Sequence, residues 1–481
     1  MRGTPMASLS DIALIDPENG IMHYQGLITF CDEFTAKVKH SCKQSRPLVF
    51  ALCSNTIGGI AGYVASVHAH IVVALLSDDI GIEQFNDLVT AYVPDLIWAP
   101  KHRTDIIGNE IRAFEAFGYV LINTHLDSSM PLHNDLALLM TTSGSTGSPK
   151  FVRQSYANLR SNTKSIISYL DIDEHERAIT SLPLEYVYGL SVVNSHLQAG
   201  ASLVLTEDGV CQKEFWNLIH RYGVTSMAGV PYTYELLYRL RIDRMDLPSL
   251  TTFTQAGGHL APMLQTFYGT YAQHTGRRFF IMYGQAEATA RMAYLPPDAC
   301  LDKIGSMGVA IPGGRFELID DEKKRIDKND TEGELIYYGE NVCMGYAICR
   351  ADLQKADENK GVLHTGDEAM RDADGFYRIV GRKKRFIKLC GKRVSLESVD
   401  DMLRARFPDV DCVSGGDDTQ LVIFVASPCN TSLMKHSLAE LLRMNKKLIT
   451  IHCVASIPRN EAGKIRYSAL KAFLDDQGCC S

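Results

Sequence analysis

Between residues 46 and 285, short and almost continuously apolar runs alternate with helix-length segments, and this alternation leaves few folds open. Leu48 to Cys53, Ile71 to Leu76, Leu96 to Trp98, Leu136 to Met140, Ser202 to Leu205 and Phe279 to Met282 are the runs. A strand that is apolar on both faces is one that is covered on both faces. Between the runs, Leu190 to Gln198 leads to Gly200 and Lys213 to Tyr222 leads to Gly223, a residue suited to the left-handed end of a helix. The pattern predicts an α/β fold whose large N-terminal domain holds mixed, mostly parallel sheets with flanking helices.

After about residue 300 the period changes. Arg315 to Ile319, Glu334 to Tyr338 and Phe376 to Val380 are β-type runs with Gly and Asp at their turns, which predicts a β-rich subdomain. The basic stretch Arg382 to Lys388 follows, and then a small α+β unit. The expected division is residues 1–381 for the large domain and 382–481 for a small C-terminal one.

Composition excludes several classes. The chain has 481 residues, 46% hydrophobic and 22% charged, enough for sizeable cores. A net charge of −7 gives no general attraction to nucleic acid or an anionic membrane, and the basic stretch at 382–388 lacks a stacking array of aromatics. No apolar run reaches the ~18 residues of a membrane span, and Met1 to Asn19 lacks the core of a secretory signal. The 13 cysteines form no CxxC pair, as in a reduced, cytoplasmic protein. His68, His70 and His102 have no ligand set beside them, so the expectation is histidines of the core or surface.

The sharpest local feature is Leu139-Met-Thr-Thr-Ser-Gly-Ser-Thr-Gly-Ser-Pro-Lys150. An apolar strand runs into a loop of glycines and hydroxyls and ends in a cation. Glycines let backbone N–H groups approach an anion; Thr142, Ser143, Ser145 and Thr146 add donors around Gly144 and Gly147, and Lys150 adds charge. Such a loop cradles a polyphosphate, although a Ser/Gly-rich surface turn has the same composition. It is not a Walker A loop, since Lys150 follows a proline.

Thr142 to Lys150 resembles the phosphate loop of the AMP-forming, adenylate-forming enzymes: acyl-CoA synthetases, luciferases and the adenylation domains of nonribosomal peptide synthetases. Four further motifs follow in that family's order. They are Tyr283-Gly-Gln-Ala-Glu287, Leu363-His-Thr-Gly-Asp367, Gly381-Arg382 with Ile387-Lys388, Gly391 and Glu397, and Arg459-Asn-Glu-Ala-Gly-Lys464. The likeness runs from about residue 45 to 475, and is strongest to small bacterial acyl-CoA ligases.

The resemblance implies an activity: a carboxylate attacks the α-phosphate of ATP, pyrophosphate leaves, and the acyl-AMP passes its acyl group to a thiol. It implies that Lys464 bridges the substrate carboxylate and the α-phosphate, with Thr146 and Glu287 as further catalytic groups and Glu287 the ligand of Mg²⁺. ATP and AMP would lie on Thr142 to Gly147, Lys150, Gly257, Tyr283, Gly284 and Gln285, with Asp367 on the ribose hydroxyls and Arg382 reinforcing ribose and phosphate. The acid would meet Glu185, Tyr186, Asn194, Val230 and Gly258. Lys384 would be the pivot of the C-terminal domain and Gly391 part of the thiol path. The acceptor implied first is coenzyme A. The alternatives are a stand-alone enzyme loading an amino acid onto the phosphopantetheine of a carrier protein, or a nucleotide-binding protein that has lost catalysis.

Three positions depart from the family pattern. Ala286 stands where a threonine is usual, and the hydroxyl of neighbouring Thr289 is the candidate to compensate. Tyr156 stands in the place of a histidine. Glu185, within Leu182-Pro-Leu-Glu-Tyr-Val-Tyr-Gly189, takes a place held by His in acyl-CoA synthetases and comparable to an Asp that meets the amine in amino-acid adenylation domains. A partner for a carboxylate in such a place would be a substrate ammonium or a protein cation.

Overall fold

The computed structural model describes residues 8–108, 112–126, 130–141, 150–382, 386–389, 392–417, 419–426, 429–442, 444–459, 465–467 and 469–470. The apolar runs are strands. Leu48–Cys53 is buried at all six positions and pairs in parallel with Val72–Ser77 on one side and Leu96–Pro100 on the other. Val72–Ser77 in turn carries Leu136–Thr141, the strand that leads into the phosphate-loop sequence. Phe151–Ser155 returns antiparallel to it, and the short strand Tyr346–Ala347 closes that edge of an eight-stranded sheet.

A second sheet of nine strands has a parallel centre: Ser202–Val204, Arg177–Ile179, Ser226–Gly229, Thr252–Gln255 and Arg278–Tyr283. Ile12–Asp16 joins it in parallel beside Ser202–Val204. Both sheets have antiparallel edges, so the architecture is mixed rather than all parallel, as the sequence pattern predicts. One hydrophobic cluster spans the two sheets: Val49, Ala51 and Met140 of the first meet Leu203, Phe280 and Met282 of the second, with helix Ile57–His68 among them. Gly62 of that helix is required by space, because a Cβ there would lie 2.2 Å from Nε1 of Trp98. Asn55 ties the sheets further, its Nδ2 donating to the carbonyls of Thr180, Leu182 and Thr206.

Arg315–Ile319, Gly333–Tyr338, Val362–Arg371 and Tyr377–Arg382 form a four-stranded antiparallel sheet around Phe316, Leu335 and Tyr337. Its last pair sets Asp367 opposite Arg382. Beyond it, the hairpin Phe386–Leu389 with Lys392–Ser395, helix Leu396–Arg406 and the strands Cys412–Gly416, Leu421–Val425 and Ile449–Cys453 have apolar clusters of their own. Among the described residues no helix is long and apolar enough to cross a membrane.

Candidate active site

Strands Thr252–Gln255 and Arg278–Tyr283 run in parallel, and the loops at their carboxyl ends bring the motifs together, where ligands bind in open α/β sheets. Gly257 follows the first at φ +87°, a backbone state that favours glycine. Gly284 follows the second, and a Cβ there would meet the carbonyl oxygen of Ala290 at 1.8 Å. The loop therefore folds back tightly enough to set Gln285 beside Tyr283.

Asp367 is the hub of this corner and is 1% exposed. Its Oδ2 accepts from the Tyr283 hydroxyl and, at 2.8 Å, from Nε2 of Gln285. Gln285 Nε2 also donates to the carbonyl of Thr365, and the Asp367 N–H donates to Oγ1 of Thr365. Two motifs eighty residues apart are thus one network. The carboxylate plane is fixed before any nucleotide arrives, which lowers the ordering cost of binding.

The second corner is built on Tyr346, to which the sequence reading assigned nothing. Its hydroxyl donates to Oε1 of Glu287 at 2.7 Å, and Nζ of Lys150 lies 3.7 Å from the centre of its ring. Burial, reinforced by the Glu287 charge, pushes the Tyr346 hydroxyl above the ordinary phenol range, so it stays a donor at neutral pH. One ring holds a cation on its face and a carboxylate at its edge. Arg153, fully buried, fixes that ring's backbone: it donates to the carbonyls of Tyr346 and Met344 and pairs with Glu358 at 2.6 Å. A basic residue inside a strand gives little hint of such a role, and neither residue falls in a motif.

A model of the AMP-binding enzyme family matches residues 42–347, nearly two thirds of the chain and the stretch that holds Lys150, Gln285, Glu287 and Tyr346. The chain belongs to the AMP-binding enzyme family. Oxalate–CoA ligase of Arabidopsis thaliana is 31% identical over 293 residues, 59% of this chain and 56% of that protein, so the chain spans little more than half of that relative. 2-Succinylbenzoate–CoA ligase of Bacillus pumilus is 28% identical over 357 residues, 71% of this chain and 70% of that one. Among solved structures, o-succinylbenzoate coenzyme A synthetase from Bacillus subtilis in complex with ATP and magnesium ion matches with a TM-score of 0.75 and 20% identity. That match covers 96% of each chain. The fold is that of the adenylate-forming enzymes.

Of the residues expected to meet the acid, Tyr186 and Asn194 lie at the start of and within helix Val187–Ala199. Tyr186 precedes the helix half-buried, with its hydroxyl held above the usual phenol range chiefly by burial. Asn194 accepts from the Tyr63 hydroxyl at 2.9 Å. Val230 is buried at the head of helix Pro231–Arg239, and Gly258 is exposed beside Pro231. Glu185 is half-buried, already engaged, and close enough to Cys53 to help raise that thiol, whose shift comes first from burial.

Two of the positions that depart from the family pattern have defined surroundings. The hydroxyl of Thr289, expected to compensate for the one absent at Ala286, is committed within the protein: its Oγ1 donates to the carbonyl of Asn341 at 2.7 Å. At Ala286 itself the carbonyl accepts from Nε2 of Gln154. Tyr156 is structural, its ring 4.7 Å from that of His70, while Ser155 before it caps helix Tyr156–Leu170 through a reciprocal bond pair with Asn158. Thr142, Ser143, Gly144, Ser145, Thr146 and Gly147, with Lys384, Gly391 and Lys464, lie outside the described residues, and Arg382 is described by its backbone alone.

Among the described residues no group of three His, Cys, Asp or Glu side chains is arranged to hold a metal. Mg²⁺ is usually held by one or two carboxylates together with substrate phosphates, and Glu287, which accepts from Tyr346 beside Lys150, is a carboxylate that fits such a site.

Proposed function

We propose that this AMP-binding enzyme is an ATP-dependent acid–thiol ligase that makes an acyl-coenzyme A from a small carboxylic acid through its acyl-adenylate. In the first half-reaction a carboxylate oxygen bonds to the α-phosphorus of ATP while the bond to the bridging oxygen breaks, and pyrophosphate leaves with that electron pair. In the second, a thiolate bonds to the acyl carbon and AMP leaves.

The observation that carries this reading is the placement of Lys150 and Glu287 on opposite parts of one tyrosine ring. Lys150 offers charge to the phosphates. Glu287 would hold Mg²⁺, which when bound neutralises phosphate charge and favours departure of pyrophosphate. Asp367, steadied by Tyr283 and Gln285, would take the ribose hydroxyls. Lys464 is assigned to the reacting carboxylate, and rotation of residues 382–481 about Lys384, opening a thiol path near Gly391, belongs to the same reading. The CoA ligases among the curated relatives favour coenzyme A as acceptor over a carrier-protein phosphopantetheine.

The test is a sequential one. With ATP, Mg²⁺ and an acid, hydroxylamine should trap an acyl hydroxamate, and adding coenzyme A should convert the same acyl group to a thioester. Thioester formation with ADP rather than AMP as product would overturn the reading.

A further inference from the structure

Arg291 is a charged side chain in an almost wholly neutral pocket. It is 2% exposed, yet among the described residues no carboxylate pairs with it. Its Nη1 donates to the Tyr169 hydroxyl at 3.1 Å and to Sδ of Met282 at 3.0 Å, and its guanidinium carbon lies 4.8 Å from the centre of the Tyr188 ring. Its Nε is buried with no hydrogen-bond partner. An arginine does not shed its proton on burial as a lysine can, so the charge persists. A phenol, a thioether and a ring face are weak company for it, and a buried charge asks for a counter-charge.

The placement of Arg291 points to what supplies that charge. Its carbonyl is clamped by Nδ2 of Asn162 at 2.8 Å and Nδ2 of Asn341 at 3.1 Å, so the side chain starts from a fixed point. That point lies eight residues after Tyr283, on the loop that carries Gln285 and Glu287. Tyr188 sits in helix Val187–Ala199, which also bears Asn194, and its hydroxyl donates to Thr254 on the strand leading to Gly257. The guanidinium therefore touches both the helix that bears Asn194, through Tyr188, and the strand that ends at Tyr283, through Met282.

We propose that Arg291 receives a second anionic group of the substrate, so that the acids this enzyme activates carry an anion at each end: one carboxylate attacks ATP and the other end, a carboxylate or sulfonate, pairs with the guanidinium. The proposal rests on the ligase reading and narrows its substrate class. It makes Arg291 a specificity residue and disfavours amino acids whose far end is apolar or cationic.

The test compares dicarboxylates of three to eight carbons with their monoamides, which keep the shape and lose one charge, and adds sulfonate analogues of matching length. Both pyrophosphate release and calorimetric binding are read, in the wild type and in Arg291→Met and Arg291→Lys. A charged end should be preferred over its amide by about 100-fold or more in kcat/KM, as for a buried charge pair that loses one partner. Arg291→Met should remove that preference by losing far more activity on the diacid than on the amide, and Arg291→Lys should restore part of it. Equal use of diacid and amide by the wild type, or an equal loss on both in Arg291→Met, would overturn the proposal. If no acid releases pyrophosphate, the ligase reading fails. Binding then decides about Arg291: a preference for the diacid that Arg291→Met abolishes supports the assignment, and indifference to charge refutes it.

Discussion

The two halves of the site are built in opposite ways. On the nucleotide side the charges among the described residues have company: Asp367 takes hydrogen bonds from Tyr283 and Gln285, Glu287 takes one from Tyr346, and Lys150 lies over the same ring. On the acid side a buried guanidinium faces tyrosines and a thioether, with no carboxylate among the described residues. A self-satisfied network suits a ligand that is always the same, since its geometry is set in advance. An uncompensated charge suits the ligand that distinguishes this enzyme from others of its family. The difference teaches where to look for substrate identity.

The contrast can be broken or sharpened by substitution, and the largest effect belongs to the nucleotide side. Lys464→Ala should lower adenylation by roughly 10²–10³-fold, the scale of losing one charge-stabilising group, with ATP binding by calorimetry nearly unchanged. Near-normal pyrophosphate release would remove Lys464 from the mechanism.

The acid side should show itself in stability. His196 is fully buried between Val192 and Ser226, and its pKa is pushed down to about 4, first by burial and further by the Arg291 charge. The unfolded histidine takes a proton near 6.5, so the unfolded chain binds more protons between pH 6.5 and 4. Stability is therefore full above pH 6.5 and falls as pH drops through that window, by about 3 kcal/mol. Denaturant titrations from pH 7 to 4 should show this slope, and His196→Gln should flatten it. An unchanged slope would place the acid sensitivity elsewhere.

Smaller effects separate the parts of the nucleotide side. Asp367→Ala leaves two donors without their acceptor and should raise the KM for ATP roughly 10–100-fold, at about 1–3 kcal/mol for an unmade buried bond. Tyr346→Phe keeps the ring under Lys150 and removes only the bond to Glu287. It should cost about 1 kcal/mol, read as a several-fold higher requirement for Mg²⁺ at unchanged ATP affinity. A larger loss of ATP affinity than in Asp367→Ala would mean that Tyr346 serves the phosphates directly.

Much of this was legible in the sequence, for physical reasons. Leu48–Cys53 and Val72–Ser77 lie at a sheet centre, so burial on both faces writes continuous apolar runs. Arg112–Ala116 escaped notice because it is an edge strand with little burial, turned into Tyr119–Asn123 through Phe117 at φ +47° and Gly118. Phe117 is no turn signal. Ile12–Asp16 is short, and its partner Ser202–Val204 lies far along the chain, where no local pattern reaches. The motif residues Tyr283, Gln285, Glu287 and Asp367 were readable as types. Tyr346 was not, since its bond to Glu287 is a contact 59 residues along the chain, and its place beside Lys150 comes from the pairing of Tyr346–Ala347 with Phe151–Val152. Arg291 was readable as a letter only: its lack of a carboxylate partner is a property of burial, which sequence does not state.

The most direct test of the account is pyrophosphate release from ATP and Mg²⁺ with no thiol present, measured with and without a panel of small mono- and dicarboxylic acids. The account predicts release that requires an acid, stops near one equivalent of enzyme-bound acyl-AMP, and becomes catalytic on adding coenzyme A. ATP binding with no acid-dependent pyrophosphate from any member of the panel would contradict it.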